Sequence, residues 1–498
     1  MNTVNAAEAL LGRNLDRRPD KIAYVWGTHA LTYRELDRES RRFSLLLHER
    51  GMRPGERALI VLPDTFAYPV AFLGCLLTGV MAVAVGTDLR REDFAHILQD
   101  SDARLLITHP DLAVPQAAAG EAAAVLLCEE HGSFPAPQTD GADWKPHQPT
   151  AADFAYMLYS SGSTGKPKGI PHRHQDLLLA CSLVGEAVLA LTEDDVIFSA
   201  SKFSFAYGLV NSLAFPLFFG ATAILLADKP NPAILFDIIH THRPTAFFSV
   251  PTVYSQLILA CTADHLDLPL RLCASSGEAL SAAIFTEWRR LTGLEIIDAI
   301  GSTEMTYWYV ANRPGQARPG ATGQPIAGYR LRLVDDADNE VPPGQEGNLL
   351  VSGETMAPFY LNLPEKSAET MLPDGFARTG DVFVEQDGFY YHRGRSDDMI
   401  KSGGQWVSPV LVEEVLREHP EVADCAVAAV SVGALIKPGA FVVLAPGIQP
   451  TPDLAKRLRR HVLARLPDAL CPASFSCVAD LPRTATGKIQ RFQLRNRR

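Results

Sequence analysis

The residues best suited to chemistry lie in Tyr159-Ser160-Ser161-Gly162-Ser163-Thr164-Gly165-Lys166-Pro167-Lys168-Gly169. Glycines let a backbone approach a ligand closely and turn with positive φ. Successive backbone N–H groups in such a turn cradle an anion, and hydroxyls and ammonium groups add donors and charge. This composition suits the phosphates of a nucleotide better than it suits a plain surface turn. It is not the Walker arrangement, which needs four residues between its glycines and a hydroxyl after the lysine. Here two residues separate Gly162 from Gly165, and Pro167 follows Lys166. Further polar stretches recur later: Gly301-Ser302-Thr303-Glu304, Arg378-Thr379-Gly380-Asp381, Gly394-Arg395-Ser396-Asp397-Asp398, Lys401-Ser402-Gly403-Gly404 and Pro482-Arg483-Thr484-Ala485-Thr486-Gly487-Lys488-Ile489.

These groups need rigid elements behind them. The apolar run 154–158 predicts a buried strand that delivers the loop. Upstream, Thr32 opens an amphipathic helix to about Arg50, and 57–62, 80–85 and 103–108 read as strands around a helix at 68–79. This βαβ rhythm predicts a parallel sheet covered by helices. Residues 110–150, rich in Ala, Pro, Gly and Gln, read as a loosely packed excursion. The rhythm resumes over 175–300. Strands at 247–251, 270–274 and 295–300 run into polar turns, and ligands of open α/β sheets gather at strand carboxyl ends. From 322 to 395 short strands and hairpins predict a β-rich subdomain, and a small α+β unit follows with a helix at 408–416 and a strand at 440–444. The fold class is therefore α/β, with a large N-terminal domain over 1–395 and a small C-terminal domain over 398–498.

Bulk properties narrow the function. A chain of 498 residues is long enough for two or more domains, and a net charge of −11 disfavours nucleic acid and acidic membranes as partners. Residues 1–21 lack the apolar core of a signal peptide, so a cytoplasmic location is expected. Residues 206–227 carry no charge, but Asn211, Ser212, Pro216 and Gly220 interrupt them, which predicts a buried helix, turn and strand rather than a span. The eight cysteines form no Cys-x-x-Cys pair and are expected as reduced thiols. His172, His174, His240 and His242 lack a ligand cluster and are expected to be structural or at the surface.

Taken together and in this order, the polar stretches resemble the acyl-adenylate-forming superfamily of acyl-CoA synthetases, peptide-synthetase adenylation domains and luciferases. Phe205-Ala206-Tyr207-Gly208-Leu209, Asp298-Ala299-Ile300-Gly301-Ser302-Thr303-Glu304-Met305, Ser396 to Lys401 and Thr484 to Phe492 are most similar to the benzoate-CoA ligase group. The resemblance implies an ATP-dependent acid–thiol ligase. A small aryl or heteroaryl acid attacks the α-phosphate of ATP, pyrophosphate leaves, and a thiol then displaces AMP. The thiol belongs to CoA or, alternatively, to the phosphopantetheine of a carrier protein.

The same resemblance implies the residue roles. Ser160, Ser161, Gly162, Ser163, Thr164, Gly165, Lys166 and Lys168 hold the β- and γ-phosphates. Thr303 meets the α-phosphate, and Glu304 binds Mg²⁺. Asp381 takes the ribose hydroxyls, with Arg395 nearby. Ser275, Gly277, Glu278 and Ala279, with Asp298, Ala299 and Ile300, frame adenine. Lys488 stabilises the adenylation transition state. A hinge at 396–397, centred on Asp397, lets the mobile C-terminal domain alternate, and Gly403 and Gly404 line the thiol tunnel. The acid pocket is expected at Phe205, Ala206, Tyr207, Gly208, Ser276, Gly301, Tyr307 and Trp308. Tyr307 and Trp308 replace a His and a small aliphatic residue of the relatives, which predicts a smaller pocket or added O–H and N–H donors.

Overall fold

The computed structural model describes the chain except residues 1–3, 121, 130–131, 140–143, 162–165, 403–404, 433–434, 484–488 and 495–498. The large N-terminal domain is built on two mainly parallel sheets. The first has six strands in the order Ala124–Leu127, Leu105–Thr108, Arg57–Val61, Met81–Ala84, Phe154–Ser161 and Pro167–Arg173. The second has nine, from Gln324–Pro325 at one edge through Trp308–Ala311, Ile296–Gly301, Leu272–Ser275, Ala246–Ser249, Val196–Ser199, Thr222–Leu225 and Ile22–Trp26 to His29–Thr32. One apolar core draws side chains from both sheets, Ile60 and Ala82 on one side and Ala223 and Phe248 on the other among them.

Local chemistry explains the elements. Thr32 caps the helix Tyr33–Glu49 through a reciprocal box: its hydroxyl accepts from the Glu35 N–H (3.2 Å), and its own N–H donates to the Glu35 carboxylate (2.9 Å). Every residue of the helix Ala67–Thr78 is buried, so it is apolar all round rather than amphipathic. It ends at Gly79, whose φ of +77° favours a residue without a Cβ. The described residues of 110–150 are more ordered than the composition predicts. They contain the helix Ala113–Ala119 and the edge strand Ala124–Leu127, which pairs in parallel with Leu105–Thr108. An edge strand exposed at three of four positions leaves no alternating pattern to read. The charge-free window folds as expected, with helical turns over Ala206–Phe219, a left-handed Gly220 and the strand Thr222–Leu225. Among the described residues no helix is long and apolar enough to cross a membrane.

A four-stranded antiparallel sheet follows, Arg330–Val334, Glu346–Ser352, Ala377–Gln386 and Phe389–Arg395. The separate C-terminal domain has its own small sheet, Val422–Val432, Leu435–Leu444 and Ser474–Cys477, packed by the helices Pro409–Arg417 and Leu454–Leu463. All eight cysteines are free thiols.

His174 ties the start of the chain to this frame. Its Nδ1 accepts the Ala6 N–H at 3.1 Å, and the ring is 1% exposed. Burial, with His147 nearby, lowers its pKa to about 4. A base whose folded pKa lies below its unfolded value stabilises the fold above that unfolded value and loses the contribution as pH falls toward the folded one. The window is therefore about pH 6.5 to 4, and the loss reaches about 3 kcal/mol. His174→Asn keeps an acceptor for Ala6 but does not titrate. We expect its denaturant midpoint to fall less than that of the wild type between pH 6.5 and 4; parallel curves would contradict this.

Candidate active site

The candidate site draws on strand ends of the two large N-terminal sheets and on the four-stranded sheet. Ser160 and Lys168 are cross-strand partners of the antiparallel pair Phe154–Ser161 and Pro167–Arg173, so the phosphate-loop candidates leave and re-enter the six-stranded sheet side by side. Gly162, Ser163, Thr164 and Gly165 lie outside the described residues. Lys166 is exposed, while Lys168 turns inward. Its ammonium sits 4.3 Å from the centre of the Tyr360 ring, a cation–π contact. The Tyr360 hydroxyl donates to the Glu304 carboxylate at 2.7 Å. Burial lowers the Lys168 pKa, and the charge of Glu304 opposes that shift. An ammonium and a carboxylate joined through one phenol suit a phosphate–metal complex, which needs both signs of charge.

Glu304 and Thr303 belong to a single 3₁₀ turn, Thr303–Met305, capped by the Ser302 hydroxyl, which accepts from the Met305 N–H at 3.3 Å. The turn ends in an unusual way. Thr306 has φ +65° and ψ −46°, and the Tyr307 N–H donates to the Met305 carbonyl at 2.6 Å. That is a γ-turn of the rare, strained hand, at a β-branched residue. Such strain persists only when surrounding contacts over-determine it.

Asp381 and Arg395 are directly opposed on neighbouring strands. The Asp381 carboxylate accepts from Arg395 Nη1 and from His392 Nε2, each at 3.3 Å. The Asp381 charge holds the Arg395 pKa above its ordinary value. The buried Tyr309 hydroxyl lies within electrostatic reach of Asp381, Arg395 and Glu304, so groups far apart in sequence surround one region. Asp397, in the turn Ser396–Asp398, lies within electrostatic reach of Lys168.

The row Ser249, Ser275, Asp298 crosses three adjacent parallel strands in register. Their side-chain oxygens Oγ, Oγ and Oδ1 are buried and have no hydrogen-bond partner among the described residues. Burial pushes the Asp298 carboxyl well above the usual carboxylate range. Ser276, beside this row, donates to the Ala299 carbonyl at 2.8 Å. Gly277 turns with φ +92° before Glu278, whose carboxylate accepts from the Thr252 hydroxyl at 2.7 Å. Ala279 follows that contact in sequence, and Ile300 sits one residue before Gly301.

The candidate acid pocket is an aromatic slab. Tyr307 and Trp308 stack at 4.9 Å with 16° between planes, and each stacks on Tyr207 at 5.9 Å. The Tyr307 hydroxyl donates to Asn211 Oδ1, so the added O–H is already used. The Trp308 Nε1–H is buried and has no partner among the described residues. Phe205 precedes the short helix Ala206–Leu209 that carries Tyr207. Two pocket glycines have structural reasons to lack a Cβ. At Gly208 it would meet the Lys202 carbonyl oxygen at 2.0 Å, and at Gly301 the Tyr307 oxygen at 2.4 Å.

From the C-terminal domain, Arg483 Nη1 donates to the Thr252 hydroxyl at 3.4 Å, the same hydroxyl that holds Glu278. Arg483 and Ile489 form an antiparallel bridge. Lys488, Gly403 and Gly404 lie outside the described residues.

A match to the AMP-binding enzyme family covers residues 11–361, and a match to the AMP-binding enzyme C-terminal domain covers 411–488. The chain belongs to the AMP-binding enzyme family. Among AMP-binding enzymes it is 39% identical to a benzoate–CoA ligase of Thauera aromatica, over 99% of this chain and 96% of that protein. A crystal structure of a benzoate CoA ligase from Burkholderia xenovorans superimposes with a TM-score of 0.91 at 40% identity, covering 100% of both chains. An anthranilate CoA ligase in complex with anthranoyl-AMP superimposes with a TM-score of 0.93 at 37% identity, covering 99% of this chain and 97% of that one.

The sequence motifs do not single out Tyr360, Thr306 or Asn211. Tyr360 sits in a run with no polar signature. His172, like His174, is expected from sequence to be structural or at the surface, and the structure buries both.

Proposed function

We propose that this AMP-binding enzyme activates a small aryl or heteroaryl carboxylic acid as its acyl-adenylate and transfers the acyl group to CoA. One observation carries the reading: Lys168, Tyr360 and Glu304 form a continuous chain of contacts, within electrostatic reach of the Asp381–Arg395 pair on the four-stranded sheet. The carboxylate oxygen of the acid bonds to the α-phosphorus of ATP as the bond to the bridging oxygen breaks and pyrophosphate leaves. The CoA sulfur then bonds to the acyl carbon, AMP leaves, and the thiol proton is released.

In this reading the 160–168 loop and Lys168 receive the outer phosphates, and Thr303 the α-phosphate. The buried, unpartnered oxygens of Ser275 and Asp298 fit the polar edge of adenine, with Gly277, Glu278 and Ala279 beside them. Asp381 and Arg395 meet the ribose. Glu304 is the carboxylate that would hold Mg²⁺, since this ion is commonly bound by one or two carboxylates plus substrate phosphates. When bound, the ion offsets charge that builds on the phosphate oxygens. Asp397 is the hinge about which the domain over 398–498 turns, and Gly403 and Gly404 admit the pantetheine. Similarity to CoA ligases over their full length favours CoA over a carrier protein as acceptor.

The slab of Tyr207, Tyr307 and Trp308 favours a flat, compact acid, and the spare indole N–H favours one bearing an acceptor. A pyrophosphate-release screen over carboxylic acids, run with and without CoA, tests both points. Aryl and heteroaryl acids are expected to lead, with a thioester formed from CoA. Fastest turnover with long-chain fatty acids would overturn the pocket, and transfer only to a carrier protein would overturn the acceptor.

A further inference from the structure

We infer that His172 is a positioning residue for adenylation, holding the Thr303–Glu304 turn through the carbonyl of Thr303. The inference rests on the reading of Thr303 and Glu304 given above. His172 is fully buried on the strand Pro167–Arg173, whose start carries Lys168. Its Nε2 lies 2.8 Å from the Thr303 carbonyl oxygen. A carbonyl only accepts, so Nε2 carries the hydrogen and donates it. The other nitrogen, Nδ1, lies 3.0 Å from the Thr306 hydroxyl and 3.2 Å from the Asp176 carboxylate. One ring therefore touches both ends of the segment that contains Glu304: the carbonyl before it and the strained γ-turn after it.

Neighbouring groups hold the ring and its partners in place. Tyr156 stacks on it at 5.0 Å with 18° between planes. Asp176 is held by the Arg173 N–H at 2.9 Å. Beyond Thr306, the Thr355 hydroxyl donates to the Met305 carbonyl at 2.9 Å and lies 2.8 Å from the Tyr329 hydroxyl. The Ala357 N–H donates to the Glu304 carbonyl at 2.7 Å. The backbone of the turn is thus gripped from the six-stranded sheet by His172 and from the β-rich segment by Thr355 and Ala357. His172 is the grip that links the turn to the strand bearing Lys168. A shift of the turn by about 1 Å would separate the phosphate-facing groups, and misplacement on that scale costs about 10²-fold in rate.

The two amide replacements divide the ring's contacts. Gln reaches as far as Nε2 and keeps a donor for Thr303. Asn reaches only as far as Nδ1 and keeps the side toward Thr306 and Asp176. MgATP affinity is measured by calorimetry, and pyrophosphate exchange is measured with the acid that the wild type uses fastest. We expect H172N to lose about 10²-fold in exchange and to bind MgATP more weakly, while H172Q stays within about threefold of wild type and the KM for the acid changes less than about twofold in both. Thr306→Val keeps the branched shape and removes only the hydroxyl on the Nδ1 side; like H172Q it is expected to stay within about threefold of wild type, which keeps the test open should H172N not fold. Equal rates for H172N and H172Q, a matching rise in the KM for the acid, or a loss of about 10²-fold in folded H172Q or T306V would each overturn the role of His172. A wild type that binds no MgATP would instead overturn the reading of the site itself.

Discussion

Lys488→Ala is expected to abolish most ATP–pyrophosphate exchange while leaving thioester formation from preformed acyl-adenylate close to wild type. The first half-reaction brings a carboxylate against a polyphosphate, so negative charge accumulates where the new bond forms. A lysine ammonium is a compact point charge suited to that position. Removing one such stabilising group from a water-excluded site costs about 10²- to 10³-fold. The second half-reaction has no such encounter of anions. Near Lys488 in sequence, Arg483 reaches the Thr252 hydroxyl beside Glu278, and Ile489 pairs back with Arg483. Measuring the two half-reactions separately decides the matter. Equal loss of both would show that Lys488 serves the fold or both steps alike, and would remove the case for a C-terminal domain that alternates between poses.

The second large effect is expected at Arg491. Its guanidinium makes hydrogen bonds to both Glu413 oxygens, Nη2 at 2.8 Å to each and Nε at 3.2 Å to one. Nη1 also reaches Asp398 at 3.3 Å, just past the proposed hinge. Glu413 is 2% exposed and its Oε1 accepts the Val427 N–H at 2.7 Å as well. Arg491→Ala leaves that carboxylate buried, with Arg417 3.7 Å away as the remaining cation. Breaking one side of a buried pair costs about 3 kcal/mol or more. We expect the C-terminal domain to unfold at clearly lower denaturant than the rest of the chain, and exchange to fall with it because the segment after Lys488 loses its anchor. Arg491→Lys recovers only part, since an ammonium does not reproduce the two-pronged geometry. An unfolding midpoint within about 0.5 kcal/mol of wild type would mean that Arg417 alone satisfies Glu413.

Much of this protein was legible before any coordinates. The Thr32 and Glu35 box, the buried strand into the glycine loop, the polar turns after strands and the switch to hairpins past 322 are all local signals. They depend on residues within a few positions of one another, where propensity and periodicity act. The order of the polar stretches identified the family, because each carries a chemical requirement that few substitutions meet. Local signals failed at 110–150, where an exposed edge strand has no alternation, and they said nothing about the γ-turn at Thr306.

What the sequence by itself determined, then, is which segments become strands and helices and which residue types stand at strand ends. Only the tertiary structure decided the pairings through space. His172 meets Thr303 across 131 positions and Tyr360 meets Glu304 across 56, while Tyr307 spends its hydroxyl on Asn211 across 96. Hydrogen bonds and ring stacks act over a few ångströms of space, not over chain spacing, so the partner of a buried polar group is known only once the sheets have packed.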